Sequence, residues 1–233
     1  MLQSAAPKPC NQPTQAYRIE GLWRYPVKTL AGEEIHSAHL SMAGIPGDRI
    51  VHVRGPEGLR TSRRHYRLLG IHGSLGPDGQ PLVNGHAWNS GEALALVRAA
   101  AGDDARLEAY DGLERFDVLP LLVATDGAVN AFGHGIRRLR PNILIGGVDG
   151  LDEIHWPGSE LHIGEAIVRL DSLRGRCPMT TVDPDTLERD PEILRDIGRR
   201  FNGRLALNAE VLQPGLISVG DSVDHVRRSV GKG

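Results

Sequence analysis

The chain has 233 residues, 40% hydrophobic and 24% charged, which places it among globular proteins and excludes a disordered tail, a collagen-like repeat or a coiled coil. Its 27 basic and 29 acidic side chains are spread over both halves and leave a net charge of −2, which argues against a basic nucleic-acid-binding module, and aromatic residues at 4% provide no stacking platform for bases. No apolar run approaches the ~20 residues needed to cross a bilayer, and the start, Met1-Leu2-Gln3-Ser4, lacks a signal-peptide core, so a cytoplasmic protein with no membrane or nucleic-acid partner is expected.

Residues 1–16 hold three prolines among polar residues and show no periodicity, which reads as a disordered leader. Residues 19–27, 35–40 and 50–53 then alternate or run apolar between Gly-rich turns, a pattern of short strands in a small curved sheet or barrel. Ser90 caps a helix through Ala101 with Gly102 beyond its end, and residues 106–110 resemble a strand. Composition resets near Asp111-Gly112. Strands follow at residues 119–124, 143–145 and 161–170, the last turning at Gly164-Glu165. Residues 126–132 are helical in pattern, Asp190 caps a further helix with Pro191 in its first position, and strands at 207–212 and 216–226 close the chain. The expected organisation is a mainly β chain with peripheral helices (α+β), divided into an N-terminal β-barrel domain over residues 17–115 and a second β-rich domain over residues 116–228.

Two cysteines, Cys10 in the leader and Cys177, make no disulfide framework. Cys177 stands in Arg174-Gly175-Arg176-Cys177-Pro178-Met179, at a strand exit with Pro178 fixing the direction of the chain. Two nearby arginines favour the thiolate, the form that attacks electrophiles and binds soft metals; a buried structural cysteine is the alternative, and His134 or His162 is an open choice of partner base. A second constellation suits an anion. Lys28, Arg49, Arg63, Arg64, Arg137, Arg138 and Arg140 all occupy loops between strands, where forks and point charges can converge on a phosphate. Of the 27 basic residues 24 are arginine, and Lys28 is the only lysine outside the two ends of the chain, as if a compact ammonium were wanted there. Ten histidines are scattered without metal-ligand spacing, and no G-x-S-x-G elbow, Walker loop or G-x-G-x-x-G follows a strand. Asp183-Pro184-Asp185-Thr186 reads as turn chemistry rather than a proton relay.

Four segments in order resemble one family: Gly21-Leu22-Trp23-Arg24-Tyr25-Pro26-Val27-Lys28-Thr29 with Gly47-Asp48-Arg49; Arg140-Pro141-Asn142-Ile143; Arg176-Cys177-Pro178-Met179-Thr180-Thr181; and Pro214-Gly215-Leu216-Ile217-Ser218-Val219-Gly220-Asp221. Together they resemble the MOSC proteins, and most closely the branch that holds the mitochondrial amidoxime-reducing component and its bacterial relatives, in which a smaller β-barrel domain precedes the MOSC β-barrel. The resemblance implies a molybdenum cofactor (Mo-molybdopterin) between the two units. By position, Cys177 corresponds to the metal-ligating and catalytic cysteine, while Lys28, Thr29, Arg49, Arg140, Gly175, Arg176 and, by a looser alignment, Asn208 correspond to cofactor contacts. It further implies an oxidoreductase acting on a small-molecule substrate, N-hydroxylated or N-oxide in kind. Because the chain ends at Gly233 without a four-Cys cluster, electrons are expected from a separate donor protein of ferredoxin or cytochrome/flavoprotein type. Two other roles stay open: a cofactor carrier or sulfur-transfer protein that uses a Cys177 persulfide, and pyridoxal phosphate chemistry, for which Lys28 is the Schiff-base candidate.

Overall fold

The computed structural model describes residues 17–227, so the expected leader, Cys10 and position 228 lie outside the described residues. In chain order the elements are β1 (Tyr17–Arg24), β2 (Glu33–Ile35), β3 (Ser37–Leu40), β4 (Val51–Gly55), β5 (Gly58–Leu59), β6 (Gly73–Leu75), β7 (Pro81–Val83), β8 (His86–Ala87), α1 (Gly91–Ala101) and β9 (Arg106–Ala109). They continue with β10 (Leu121–Thr125), α2 (Asp126–Phe132), β11 (Ile143–Gly146), β12 (Glu160–Ile163), β13 (Ala166–Gly175), α3 (Pro191–Phe201), β14 (Arg204–Gln213), β15 (Gly215–Ser218) and β16 (Ser222–Val226). The helix ends are chemically specified. Ser90 Oγ accepts from Ala93 N, Asp190 accepts from Glu192 N ahead of Pro191, and α2 is capped by Thr125, one residue before its expected start.

Seven strands close into a barrel in the order β11-β10-β14-β13-β12-β16-β1, with β1 pairing back onto β11 and β2 hung on the outer edge of β1. The chain is mainly β, as expected. One stave comes from far away in sequence: β1 lies in the segment assigned to the N-terminal unit, yet it fills the gap between β16 and β11 and removes the last two open edges. Its inward residues Ile19 and Leu22 join Val123, Ile143, Ile145, Leu161, Val168 and Leu207 in the barrel core. Gly21 lets the Trp23 indole lie across the strand, since a Cβ at Gly21 would meet the ring at 2.3 Å.

A second core of Val27, Leu30, Val51, Val53, Leu68, Val83 and Val97 lies beneath α1. Around it run two three-stranded sheets, β5-β4-β9 and β6-β7-β8, and the segment after β1 is tied to them by the bridges Val27–Val51 and Ala31–His72. Each fully buried Leu or Val contributes roughly 1.5–3 kcal/mol by removal from water. A smaller cluster of Phe132, Leu139, Ile193, Ile197 and Leu205 fastens α2 and α3 to the barrel. The segments that follow β1, precede β4, follow β5, precede β10, join α2 to β11 and leave β13 form the loops of the candidate site.

Candidate functional site

Those loops surround a cleft of about 620 Å³, open to solvent, to which seven cations contribute (Lys28, Arg49, Arg63, Arg138, Arg140, Arg174 and Arg176) against one carboxylate, Asp117. Thr29, Gly175, Met179 and Cys177 complete the part of the lining used below. Lys28, Thr29, Arg49, Arg140, Gly175, Arg176 and Cys177 therefore share one cleft, whereas Asn208 lines an adjoining recess together with Arg49, Asp117 and Arg174. Of the remaining cations considered as an anion site, Arg64 and Arg137 line other cavities.

Cys177 follows the end of β13 in extended backbone and precedes a single 3-10 turn, Pro178–Thr181. The turn is closed by Thr180, whose N and Oγ1 donate to Cys177 O at 3.0 and 2.9 Å. The thiol is half-buried and not in a disulfide. Arg138 clamps this turn, with Nη2 donating to Asp183 Oδ2 at 2.8 Å and Nη1 to Thr180 O at 3.4 Å. Asp183 Oδ1 accepts from Asp185 N and Thr186 N, the turn chemistry expected of that segment. Neither His134 nor His162 lines the cleft; His134 packs edge-on against Phe132 and His162 bonds Glu160. The histidine-assisted nucleophile is therefore not assembled here.

The seven cations differ in what neutralises them. Asp117 bonds three of them, lying 3.1 Å from Lys28 Nζ, 2.9 Å from Arg174 Nη2 and 3.2 Å from Arg63 Nη2. Burial works to raise the Asp117 carboxyl, yet Lys28, Arg174 and Arg63 hold it down to about 2. Lys28 is buried and also donates to Glu114 O; burial pushes its ammonium below the usual range, and Asp117 recovers only part of that shift. Arg49 donates to Asp48 Oδ2, and Arg138 is taken up by Asp183. Arg140 and Arg176 have no carboxylate partner among the described residues. Arg140 lies over the Tyr25 ring at 4.3 Å, and Arg176 donates to Leu139 O at 2.7 Å. Burial pushes Arg176 down to about 10, against the pull of Cys177, and it lowers Arg140 as well. Two buried polar atoms among the lining residues, Thr29 Oγ1 and Arg176 Nε, have no hydrogen-bond partner. Such orphaned groups are costly unless a ligand meets them.

Three lining residues, Thr29 (φ 81°), Arg49 (φ 54°) and Arg140 (φ 57°), hold positive φ without being glycine. Backbone of this kind costs about 1–3 kcal/mol and survives only where its surroundings over-determine it. Asp48 and Asn142, both fully buried, do this. Asp48 Oδ1 accepts from Tyr25 N at 2.7 Å, and Asp48 O accepts from Arg115 Nε at 2.9 Å. Asn142 Nδ2 donates to Trp23 O at 3.2 Å, while its Oδ1 accepts from Leu122 N at 3.1 Å. Tyr25 Oη donates to Pro141 O at 2.9 Å; its phenol is pushed up to about 12 by burial and stays protonated at ordinary pH. Sequence reading quoted Asp48 and Asn142 only as parts of motifs, took Arg174 only as a neighbour that favours the Cys177 thiolate, and gave Asp117 no role at the site.

No three His, Cys, Asp or Glu side chains cluster as metal ligands among the described residues, so a metal held here would take one thiolate from the protein and its other ligands from a bound group. A half-buried thiol, two unneutralised guanidinium groups and two orphaned polar atoms form a donor set that fits an anionic, metal-bearing cofactor.

Mitochondrial amidoxime reducing component 2 of Macaca fascicularis is 38% identical over 76 residues, 30% of this chain and 22% of that protein. The Homo sapiens protein of the same name is 37% identical over 76 residues, with the same shares, so the matched segment spans about a fifth of these relatives' length. The crystal structure of the YuaD protein from Bacillus subtilis shares the fold with a TM-score of 0.51 and 14% identity, over 91% of this chain and 97% of that one. No helix among the described residues is long and apolar enough to cross a membrane. Residues 127–224 match the MOSC domain family, so this part of the chain carries a MOSC domain.

Proposed function

We propose that the Cys177 cleft holds the molybdenum cofactor and that the protein reduces N-hydroxylated or N-oxide substrates with electrons from a separate donor protein. One observation carries this reading: a half-buried thiol and a seven-cation wall with two orphaned buried donors line the same cleft. The matched segment of mitochondrial amidoxime reducing component 2 supports the choice of reaction. Cys177 would hold the metal, and Lys28, Thr29, Arg49, Arg140, Gly175, Arg176 and Asn208 would hold pterin and phosphate. When bound, the group supplies two-electron removal of an oxygen atom.

The protein's own contribution is placement and charge. Arg140 and Arg176, half-buried and without carboxylates, attract the phosphate more strongly than exposed arginines would, because the surroundings screen them less. Asp48 and Asn142 fix the loops that carry Tyr25, Arg49 and Arg140, and the Arg138–Asp183 clamp fixes the turn that aims Cys177. Residues 17–115 supply Lys28, Thr29 and Arg49, and residues 116–228 supply the rest, so the site lies between the two proposed domains.

Protein purified from a host that makes the cofactor is expected to contain about one molybdenum and one pterin per chain and to reduce an amidoxime with a viologen donor. The Cys177→Ala variant should lose the metal and turnover together. Protein free of both metal and pterin after gentle purification would overturn the proposal. The solvent access of Cys177 favours a second reading, a carrier that passes sulfur as a persulfide; bound cofactor with no turnover on any N-oxygenated compound would select it.

A further inference from the structure

Arg138, Arg140 and Met179 line two clefts, the one described above and a second one beside it. The second cleft differs in kind. Its other walls are Trp23, Leu69 and Val182, with the exposed His72 also contributing. Trp23 is held against Gly21, so its indole is a fixed face rather than a mobile side chain. The Tyr25 ring, also part of this lining, supports the Arg140 guanidinium at 4.3 Å. The other cations here are already neutralised, Arg138 by Asp183 and Arg137 by Asp185. Arg140 alone among them has no carboxylate, although it is half-buried and lies against the Tyr25 ring.

A rigid aromatic wall, an aliphatic floor and one unpaired fork specify a ligand: flat and apolar over most of its area, with one negative group. We propose that the cleft walled by Trp23, Leu69 and Val182 binds a planar aromatic anion whose charged group meets Arg140. Its ring would pack on Trp23 and the aliphatic side chains, and its carboxylate-like end would take part of the Arg140 fork, whose five N–H donors can serve this cleft and the proposed cofactor phosphate at once. Because Arg140 and Met179 also belong to the Cys177 cleft, a ring seated here presents one edge to the proposed cofactor. That such a molecule is a substrate rests on the cofactor reading; that it binds here does not.

The probe is 2-naphthoate, titrated by calorimetry into the purified full-length protein, with 2-naphthamide as its uncharged match. One site is expected, and the amide should bind about tenfold more weakly, the loss of one charge-assisted hydrogen-bond pair. Trp23→Leu removes the fixed ring, and His72→Trp fills the mouth from an exposed position the fold tolerates. Each should weaken 2-naphthoate about tenfold while molybdenum and pterin contents match the parent. Equal affinity for acid and amide, or unchanged affinity in both variants, overturns the proposal. So does binding seen only in cofactor-free protein, because the cofactor itself would then fill the cleft. Protein without molybdenum or pterin that still discriminates acid from amide would refute the cofactor reading and leave this site standing.

Discussion

Asp117→Asn separates two effects that the geometry makes opposite in sign. The carboxylate contacts Lys28, Arg63 and Arg174 at 3.1, 3.2 and 2.9 Å, and these cations depress its pKa from an ordinary 3.8 to about 2 despite the opposing effect of burial. A depression of nearly two pH units corresponds to about 2 kcal/mol if fully realised. The side chain is 35% exposed, and solvent screening brings its contribution to about 1 kcal/mol. The folded-state pKa lies below the unfolded one, so this contribution is complete above about pH 4 and disappears as pH falls through about 2. The variant is therefore expected to unfold about 1 kcal/mol more easily at pH 7, with the two urea-unfolding curves converging in acid. Anion binding moves the other way. A carboxylate that lines the same cleft repels a bound phosphate, an effect expected to be worth about tenfold in affinity once salt screens it. Asp117→Asn should thus bind pyrophosphate about tenfold more tightly than the parent at low salt, measured by calorimetry on cofactor-free protein. An affinity that is unchanged or lower refutes the reading of Asp117 as an internal occupant of the anion cleft.

Three further outcomes follow from the same contacts. Thr29→Val keeps shape and β-branching at φ 81° but removes a buried hydroxyl with no partner, so the cofactor-free protein should gain about 1 kcal/mol in denaturant unfolding while pterin retention falls. Tyr25→Phe keeps the ring beneath Arg140 and loses the hydrogen bond to Pro141 O; the expected cost is about 1 kcal/mol, constant from pH 5 to about 9 because the phenol titrates only near 12. Asp183→Asn weakens the Arg138 clamp on the Cys177 turn, and alkylation of Cys177 by iodoacetamide should quicken about threefold; an unchanged rate would show that the turn holds itself.

The elements that sequence reading located well are those whose signals are local. Ser90, Gly102, Asp190 and Pro191 mark helix ends by the chemistry of a single turn, and the hairpin from β12 to β13 turns at Gly164-Glu165 as expected. Strand ends were less legible. The first strand runs over Tyr17–Arg24 instead of reaching residue 27, because Val27 bridges to Val51 in the other core. The role of β1 as a barrel stave was hidden for the same reason: its pairing with Ile143–Gly146 joins residues over a hundred positions apart, and an alternating strand carries no label for the sheet that takes it.

Convergence of the cleft was legible only through motif order, since segments from six parts of the chain have no common period. Asp117 shows why even that fails: within Phe116-Asp117-Val118 it belongs to no motif, and its meaning comes entirely from the three cations around it. One signal was present in the residue types once backbone angles were known. Away from the cleft, positive φ falls on Asn84 and Asn202, which tolerate it, and also on Leu187 and Ala206, which stand apart from one another. At positions 29, 49 and 140 the protein instead keeps Thr, Arg and Arg, at about 1–3 kcal/mol each over an unstrained backbone. Glycine would relieve that strain and delete a hydroxyl and two guanidinium groups, all of which line a single cleft. Strain retained for the sake of side chains, at three separated sites that meet, is a physical argument for a ligand that no one of these residues carries alone.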